Sequence, residues 1–375
     1  MWIALLTLVM LESGDKGTPG LVAFFPPITP RSQLAQPSVR RKRKTALMAV
    51  VRVGLLVASI WALRREFAGL PPAAIVHRLG QYGWPHLALG IAGVVASFLL
   101  LGAIEVLALR TSGMVARRVS HRAAVGTAFV AHALSQSVGV ALLTGTAVRL
   151  RSYARRGLSA TQVAQVSAAV TVTVTLGLVT AATWALLARS APVAVGSHTF
   201  AMRPVGLLSG LTVAAYLAWS FAGKRGPAAP RRWTIPRPAP LTAVTQILLS
   251  TADWLVTGAV LYAFIQPELG LGFWTYLQIF IVAQLLAVLS HVPAGAGVFE
   301  VVLLALLLAT NPAADRAMLL AAVVMYRVIY YLLPLAVAML MAGVAEVRRM
   351  RNRFLERRLA VTLRPAPTQL MPDGR

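Results

Sequence analysis

With 375 residues, 58% apolar side chains, 13% charged ones and a mean hydropathy of +0.72, the chain is far from the balance of a soluble globular domain and reads as a polytopic membrane protein. The absence of cysteine excludes disulfides, thiolate catalysis and Cys-containing metal sites. The net charge of +25 does not point to nucleic acid as a partner, because the arginines fall between apolar runs rather than on one soluble face, as the positive-inside rule expects.

In chain order, MWIALLTLVM is too short to span and lacks the positive n-region and small-residue cleavage site of a secretory signal. The Pro- and Arg-rich residues after it cannot build a core, so 1–44 reads as a disordered basic leader, with Met48 as an alternative start. A hydrocarbon core about 30 Å thick takes roughly 20 helical residues to cross. The predicted spans are Thr45 to Leu63, Pro85 to Leu109, Thr161 to Ala188, Pro204 to Ala222, Leu241 to Phe264, Phe273 to Ser290 and Ala317 to Val344. Two further segments are atypical. Ala123 to Val148 is long enough to cross but is interrupted by His132 and Ser135-Gln136-Ser137, and Val298 to Thr310 is apolar but short. Residues 45–353 are read as the membrane domain, and 354–375 as a disordered basic tail.

Lys and Arg placement decides how the atypical segments run, since short cytoplasmic loops collect positive charge. With the N-terminus inside, Ala123 to Val148 dipping in and returning to the same side, and Val298 to Thr310 completing its crossing, the inside segments hold 26 Lys and Arg and the outside loops 6. A full crossing by Ala123 to Val148 would move the Arg149 cluster and the Lys224 to Arg237 loop outside. The expected fold is therefore an all-α polytopic membrane protein of about eight crossings plus re-entrant or broken helix hairpins, with both termini cytoplasmic and the cytoplasmic (inner) membrane as its location.

The broken segments resemble each other. LSQSVGVALLTG (Leu134 to Gly145) and LSHVPAGAGVFE (Leu289 to Glu300) each follow an apolar half-helix, begin Leu-Ser, continue with Gln136 or His291, and break at glycine before a second apolar half. Paired interruptions in two halves of a chain are the pattern of a transporter-type substrate site and make an inverted repeat a candidate arrangement. Irregular backbone at membrane depth survives only where protein or a water-filled cavity satisfies it, so Pro293, Gly295 and Gly297 are expected to line a cavity. Glu300 has two readings: a carboxylate capping the following half-helix, or a substrate-facing group. The other acids within apolar runs are Glu105 and Asp253, and the bases are Arg149, Arg151 and Arg327. A single charge in hydrocarbon costs at least about 2.5–3.5 kcal/mol on insertion scales, so pairing is expected, Asp253 or Glu105 with Arg327 being the structural choice. His132 and His291 are read either as proton carriers or as hydrogen-bonded packing residues.

LLTGTAVRLRSYARRGLS (Leu142 to Ser159) and HVPAGAGVFE together resemble the transmembrane region of the lysylphosphatidylglycerol synthase/flippase family, the MprF-like integral membrane proteins. The matching residues are Leu143-Thr144-Gly145, Arg149, Arg151, Tyr153 and Gly157-Leu158-Ser159, then His291, Pro293, Gly295, Gly297, Phe299 and Glu300, with Glu105 ahead of Leu107-Ala108-Leu109-Arg110. Ala147 and Ala294 stand where glycine is commoner in that family, which bears on how tightly the two breaks turn. The resemblance spans roughly Thr45 to Arg353, and no aminoacyltransferase domain follows Arg358, so it implies the flippase module alone. Its cargo would be a lipid with an aminoacylated, anionic or glycosylated headgroup.

For such cargo, Arg149 and Arg151 offer forked guanidinium hydrogen bonds to a phosphate, and Glu300, with Glu105, offers an acceptor to an amine or sugar hydroxyls. The flanking Arg155 and Arg156 read as topology-setting charges at anionic lipid heads. Membrane phospholipids or a lipid-linked substrate are the expected partners, with a separate enzyme subunit docking on the basic C-terminal segment as a further candidate. The competing readings are a proton-coupled small-solute transporter and a membrane-embedded lipid transferase with His291 or Glu300 as base. Against the enzyme, there is no paired-acid metal motif, no zinc helix and no serine elbow, so no metal, cofactor or catalytic residue is assigned.

Overall fold

The computed structural model of the protein describes residues 72–112, 119–138, 141–188, 193–195, 198–222, 237–265 and 270–344, with 347 and 351. The leader, the predicted Thr45 to Leu63 span and the tail lie outside the described residues. The described chain is an all-α polytopic membrane fold. Its helices are α1 (Pro72–Gly80), α2 (Trp84–Thr111), α3 (His121–Val138), α4 (Ala141–Tyr153), α5 (Ala160–Ala188), α6 (Arg203–Phe221), α7 (Pro240–Ile265), α8 (Phe273–Ser290) and α9 (Val298–Thr310), followed by α10 (Arg316–Val344). Between α5 and α6, Val193–Val195 and His198–Phe200 pair as a small antiparallel hairpin. Six helices, α2, α5, α6, α7, α8 and α10, are long and apolar enough to cross a membrane. They coincide with the predicted spans to within one or two residues, because in lipid an apolar run of that length has no alternative to the helix.

Local chemistry sets the helix starts. α2 opens with Pro85 in its first turn, where the missing N–H costs nothing. At the head of α5, Ser159 and Gln162 cap each other: the Gln162 N–H donates to Ser159 Oγ at 3.2 Å, and the Ser159 N–H donates to Gln162 Oε1 at 2.8 Å. Gly157 precedes this box at φ +86°, which permits the reversal after Tyr153. The Gly157-Leu158-Ser159 signature is thus a turn followed by a capping box. Asp315 caps α10, accepting from the Ala317 N–H at 2.8 Å, and pairs with Arg78 of α1.

A long–hairpin–long pattern occurs twice. α2, the α3–α4 pair and α5 have 28, 18, 13 and 29 residues. α7, the α8–α9 pair and α10 have 26, 18, 13 and 29. One span, α6, separates the sets, so across a membrane the second runs opposite to the first, the arrangement of an inverted repeat. Each hairpin packs on itself, and α2 packs along α7 as the most extensive contact between sets.

The structure departs from one expectation. His132, Ser135 and Gln136 do not interrupt a helix; α3 runs through them to Val138. A polar side chain does not end a helix when the neighbouring helix receives it. Here α4 does so, for a side chain at Gly145 would come within 2.7 Å of Ser135 Oγ.

Small residues bring the spans together, as expected where lipid offers no hydrophobic drive between helices. A methyl at Gly90 or Gly93 of α2 would run into Phe264 or Val260 of α7, and one at Gly177 of α5 would overlap the Ser250 backbone of α7. Tyr216, Gln246 and Thr173 add a polar tie across α6, α7 and α5: Tyr216 donates to Gln246 Oε1 at 2.6 Å and Gln246 Nε2 to Thr173 Oγ1 at 2.9 Å. Leu207, Leu208 and Leu211 of α6 are exposed and face outward, as suits lipid. Aromatic residues gather near both ends of the spans, Trp184 against Trp274 at one and Trp219 under Arg237 at the other. Gly177→Leu should force α5 off α7 and cost at least about 1–3 kcal/mol, the range for overpacking a close contact. Thermal unfolding in detergent should show the loss, whereas Gly126→Ala, made inside α3 where a side chain meets open space, should not lower the transition and should raise it slightly.

Candidate functional site

The HVPAGAGVFE break joins α8 to α9. His291, Ala294, Gly295 and Gly297 all take positive φ, at 56°, 55°, 61° and 81°. His291 caps α8 in the left-handed region, its N–H donating to Val288 O and its Nδ1 to Leu289 O at 2.7 Å. Pro293–Gly295 forms one 3₁₀ turn. Gly295 lies so close to α8 that a side chain would meet Ala287 Cβ at 2.9 Å. Ala294 holds a conformation that suits glycine, which costs a residue bearing Cβ about 1–2 kcal/mol.

Two side chains hold this break. Glu300, in the first turn of α9, accepts the Gly297 N–H on Oε2 at 2.7 Å and Arg327 Nε on Oε1 at 2.7 Å. Arg327, from α10, also donates through Nη1 to Ala294 O at 3.1 Å. Its guanidinium lies 4.5 Å from the Tyr331 ring centroid and 5.7 Å from that of Phe299. The capping role expected of Glu300 is the one its geometry shows: one oxygen holds the helix start and the other holds the Arg327 guanidinium. Arg327 opens a π-helical turn, Arg327–Leu332, within α10; such turns concentrate at functional sites.

A second ion pair closes the other half. Arg149 of α4 forks onto Glu105 of α2, Nε at 2.9 and 3.0 Å from the two oxygens and Nη2 at 2.7 Å from Oε2. Tyr153 donates to Oε1 at 2.8 Å, and His132 of α3 lies 3.4 Å from Arg149 Nη2. The pairing differs from the expected one. Arg327 takes Glu300 rather than Glu105 or Asp253, because Arg327 reaches the second hairpin while Glu105 faces the first. Arg149 and Arg151 are also separated: two residues apart on a helix means about 200° of rotation, so Arg149 turns inward onto Glu105 and Arg151 outward, where it is exposed. Gly145 makes room for the buried fork, since a side chain there would come within 3.1 Å of Arg149 Nη1.

The pairs differ in access. Arg149 and Glu105 keep 6% and 0% of their side-chain surface, Arg327 and Glu300 20% and 12%. The first is a sealed structural tie; the second keeps part of its side-chain surface exposed. Asp253 belongs to neither. It accepts from Ser97 Oγ at 2.5 Å, and Ser97 and Thr257 each lie 2.9 Å from Tyr330 Oη. Ser97, Thr257 and Tyr330 escape sequence reasoning, since their only signal is a hydroxyl in the middle of an apolar run. Among the described residues no cluster of His, Asp or Glu is placed to hold a metal ion.

No family model matches this sequence. The uncharacterized protein slr0712 of Synechocystis sp. (strain ATCC 27184 / PCC 6803 / Kazusa) is 30% identical over 293 residues, covering 74% of this chain and 89% of that protein. The chain belongs to the family of that protein. Inner membrane protein YbhN of Escherichia coli (strain K12) is 26% identical over 253 residues, 66% of this chain and 76% of its own, which agrees with the membrane-spanning lengths of the six long helices. A shorter stretch of 97 residues is 30% identical to a phosphatidylglycerol lysyltransferase of Staphylococcus epidermidis (strain ATCC 12228 / FDA PCI 1200), covering 26% of this chain and 11% of that enzyme.

Removing one partner of the sealed pair, as in Glu105→Ala or Arg149→Ala, should cost about 3–5 kcal/mol, while an apolar replacement of both partners should cost well under the sum; a double-mutant cycle on thermal unfolding reads this. Ala294→Gly should stabilise the protein by up to about 1 kcal/mol by relieving the left-handed alanine, measured the same way.

Proposed function

We propose that this protein is a flippase-type lipid translocator that moves a polar-headgroup lipid between leaflets and performs no covalent chemistry itself. The observation that carries the reading is the partly exposed Glu300–Arg327 pair, which holds both sides of the break between two half-helices. A headgroup crossing a low-dielectric region has to exchange its water for fixed partners of opposite charge. Glu300 and Arg327 supply one of each, so a headgroup bearing a phosphate and an amine or hydroxyls replaces their mutual contact without leaving either charge unpaired. Aminoacylated, anionic or glycosylated lipids carry these groups.

Arg151, Arg155 and Arg156 are exposed at the end of α4 and just beyond it, where they collect anionic headgroups at the membrane surface. Arg149, which the sequence offers to a phosphate, forks onto Glu105 and so ties to α2 the hairpin on which these charges stand. Support for the lipid class comes from the partial likeness to phosphatidylglycerol lysyltransferases, named for a phospholipid and for lysyl transfer. The reading includes the cytoplasmic membrane as the location, both termini on the cytoplasmic side, and a separately encoded enzyme as the source of a modified lipid.

Reconstitution into liposomes with labelled lipids in one leaflet, followed by a leaflet-accessibility assay, tests this. Glu300→Gln keeps an acceptor for the Gly297 N–H but loses the charge, and Arg327→Lys loses the fork. Each should slow movement of the preferred headgroup about 10- to 100-fold, the worth of a charged hydrogen bond, in variants that thermal unfolding shows to remain folded. Movement at the wild-type rate in both folded variants would remove the pair from the lipid path.

A further inference from the structure

Asp253 is the charged residue that the proposed lipid path leaves unused. Among the described residues it has no ion-pair partner, and its carboxylate accepts from a hydroxyl. It is 5% exposed, and it lies midway along α7. Ser97 lies midway along α2 and Tyr330 midway along α10, so the three spans bring their central residues together at one depth. That depth is where membrane carriers place substrate and coupling-ion sites.

The contacts form a chain of four oxygens. Ser97 spends its one proton on Asp253 Oδ1, so Tyr330 must donate to Ser97, and Thr257 to Tyr330. Every hydroxyl thus points toward the carboxylate. Adding one proton to Oδ1 turns the acid into a donor and reverses each bond: Asp253 to Ser97, Ser97 to Tyr330, Tyr330 to Thr257. The same oxygens serve both states, one proton is gained, and no hydrogen bond within the chain is lost.

Surroundings favour this exchange. α5 carries no ionisable residue at all. On the other helices packed around α7 the titratable groups are engaged elsewhere: Glu105 with Arg149, Tyr216 with Gln246, Tyr276 with Gly258 O and Arg327 with Glu300. On α7 itself, Tyr262 donates to Leu271 O. His86, Arg110, Arg203 and Arg316 stand in the first or last turn of their helices, far in sequence from the central residues. Tyr326 and Tyr331 pack around Arg327 and Tyr330, and only Tyr330 joins the chain that ends at Asp253. Among the described residues no cation therefore stands by to hold this carboxylate, and a proton neutralises it in place.

We propose that Asp253 is a proton-binding site, and that its protonation through the Ser97–Tyr330–Thr257 chain couples a proton gradient to lipid movement. The coupling route is covalent and short. Tyr330 stands in the π-helical turn that begins with Arg327, so a change in the partner of its hydroxyl bears on the turn that clamps Glu300 and the Ala294 carbonyl. The proton site stands on its own geometry; the coupling rests on the lipid-translocation reading above.

The full-length protein in liposomes tests both parts. Infrared difference spectra across a pH titration should show the C=O stretch of a protonated carboxylic acid that Asp253→Asn lacks. Ser97→Ala, which keeps the acid and removes its hydroxyl partner, should retain that band at a shifted frequency. Absence of any band assignable by Asp253→Asn overturns the site. For the coupling, an imposed pH gradient should raise the lipid-movement rate several-fold in the wild type, and the ratio of rates with and without the gradient should fall to one in Asp253→Asn. An undiminished ratio in that variant overturns the coupling. Should no lipid move in the wild type, it is the translocation reading that fails, and the infrared titration still decides the proton site.

Discussion

A charge inside a bilayer has to find a partner, and the described architecture turns on how the three acids of its apolar runs meet that constraint. Glu105 is sealed by Arg149 and Tyr153, Glu300 is shared between a helix cap and Arg327, and Asp253 meets a hydroxyl chain. Each solution ties together helices that no hydrophobic force would hold, because lipid is as apolar as the side chains it would replace. The sealed pair fixes α2 to the first hairpin. The open pair fixes the second hairpin to α10, and the hydroxyl chain joins α2, α7 and α10 at their centres.

These ties also explain why irregular backbone survives beside long apolar helices. Positive φ at four residues of the break frees backbone groups that lipid cannot satisfy. Glu300 takes the Gly297 N–H and Arg327 takes the Ala294 carbonyl, so two charges that neutralise each other also satisfy the backbone. Parting the pair would leave both of these backbone groups without their partners.

The two halves share their helix lengths but not their chemistry. In the first set the acid lies on the long span and the arginine on the hairpin; in the second the acid lies on the hairpin and the arginine on the long span. Their burial differs as well: the first pair is sealed and the second keeps part of its surface exposed. The family relationship to slr0712 covers most of both proteins, whereas the likeness to phosphatidylglycerol lysyltransferases covers a quarter of this chain. The membrane architecture is what the described residues show, and the lipid chemistry is a proposal built on one part of the chain.

Much of this was legible from sequence. Apolar run length alone placed six spans, since a backbone in lipid can satisfy itself only as a helix, and the His291 to Glu300 break announced itself through proline and glycine. The Ser135-Gln136 pair misleads, because two polar residues inside an apolar run look the same whether they end a helix or face a neighbouring one. Only the tertiary structure decided which charge met which. Periodicity tells which residues share a helix face, but pairing depends on which helices pack together, and that put Arg149 on Glu105 and Arg327 on Glu300 and left Asp253 to the hydroxyls of Ser97, Tyr330 and Thr257.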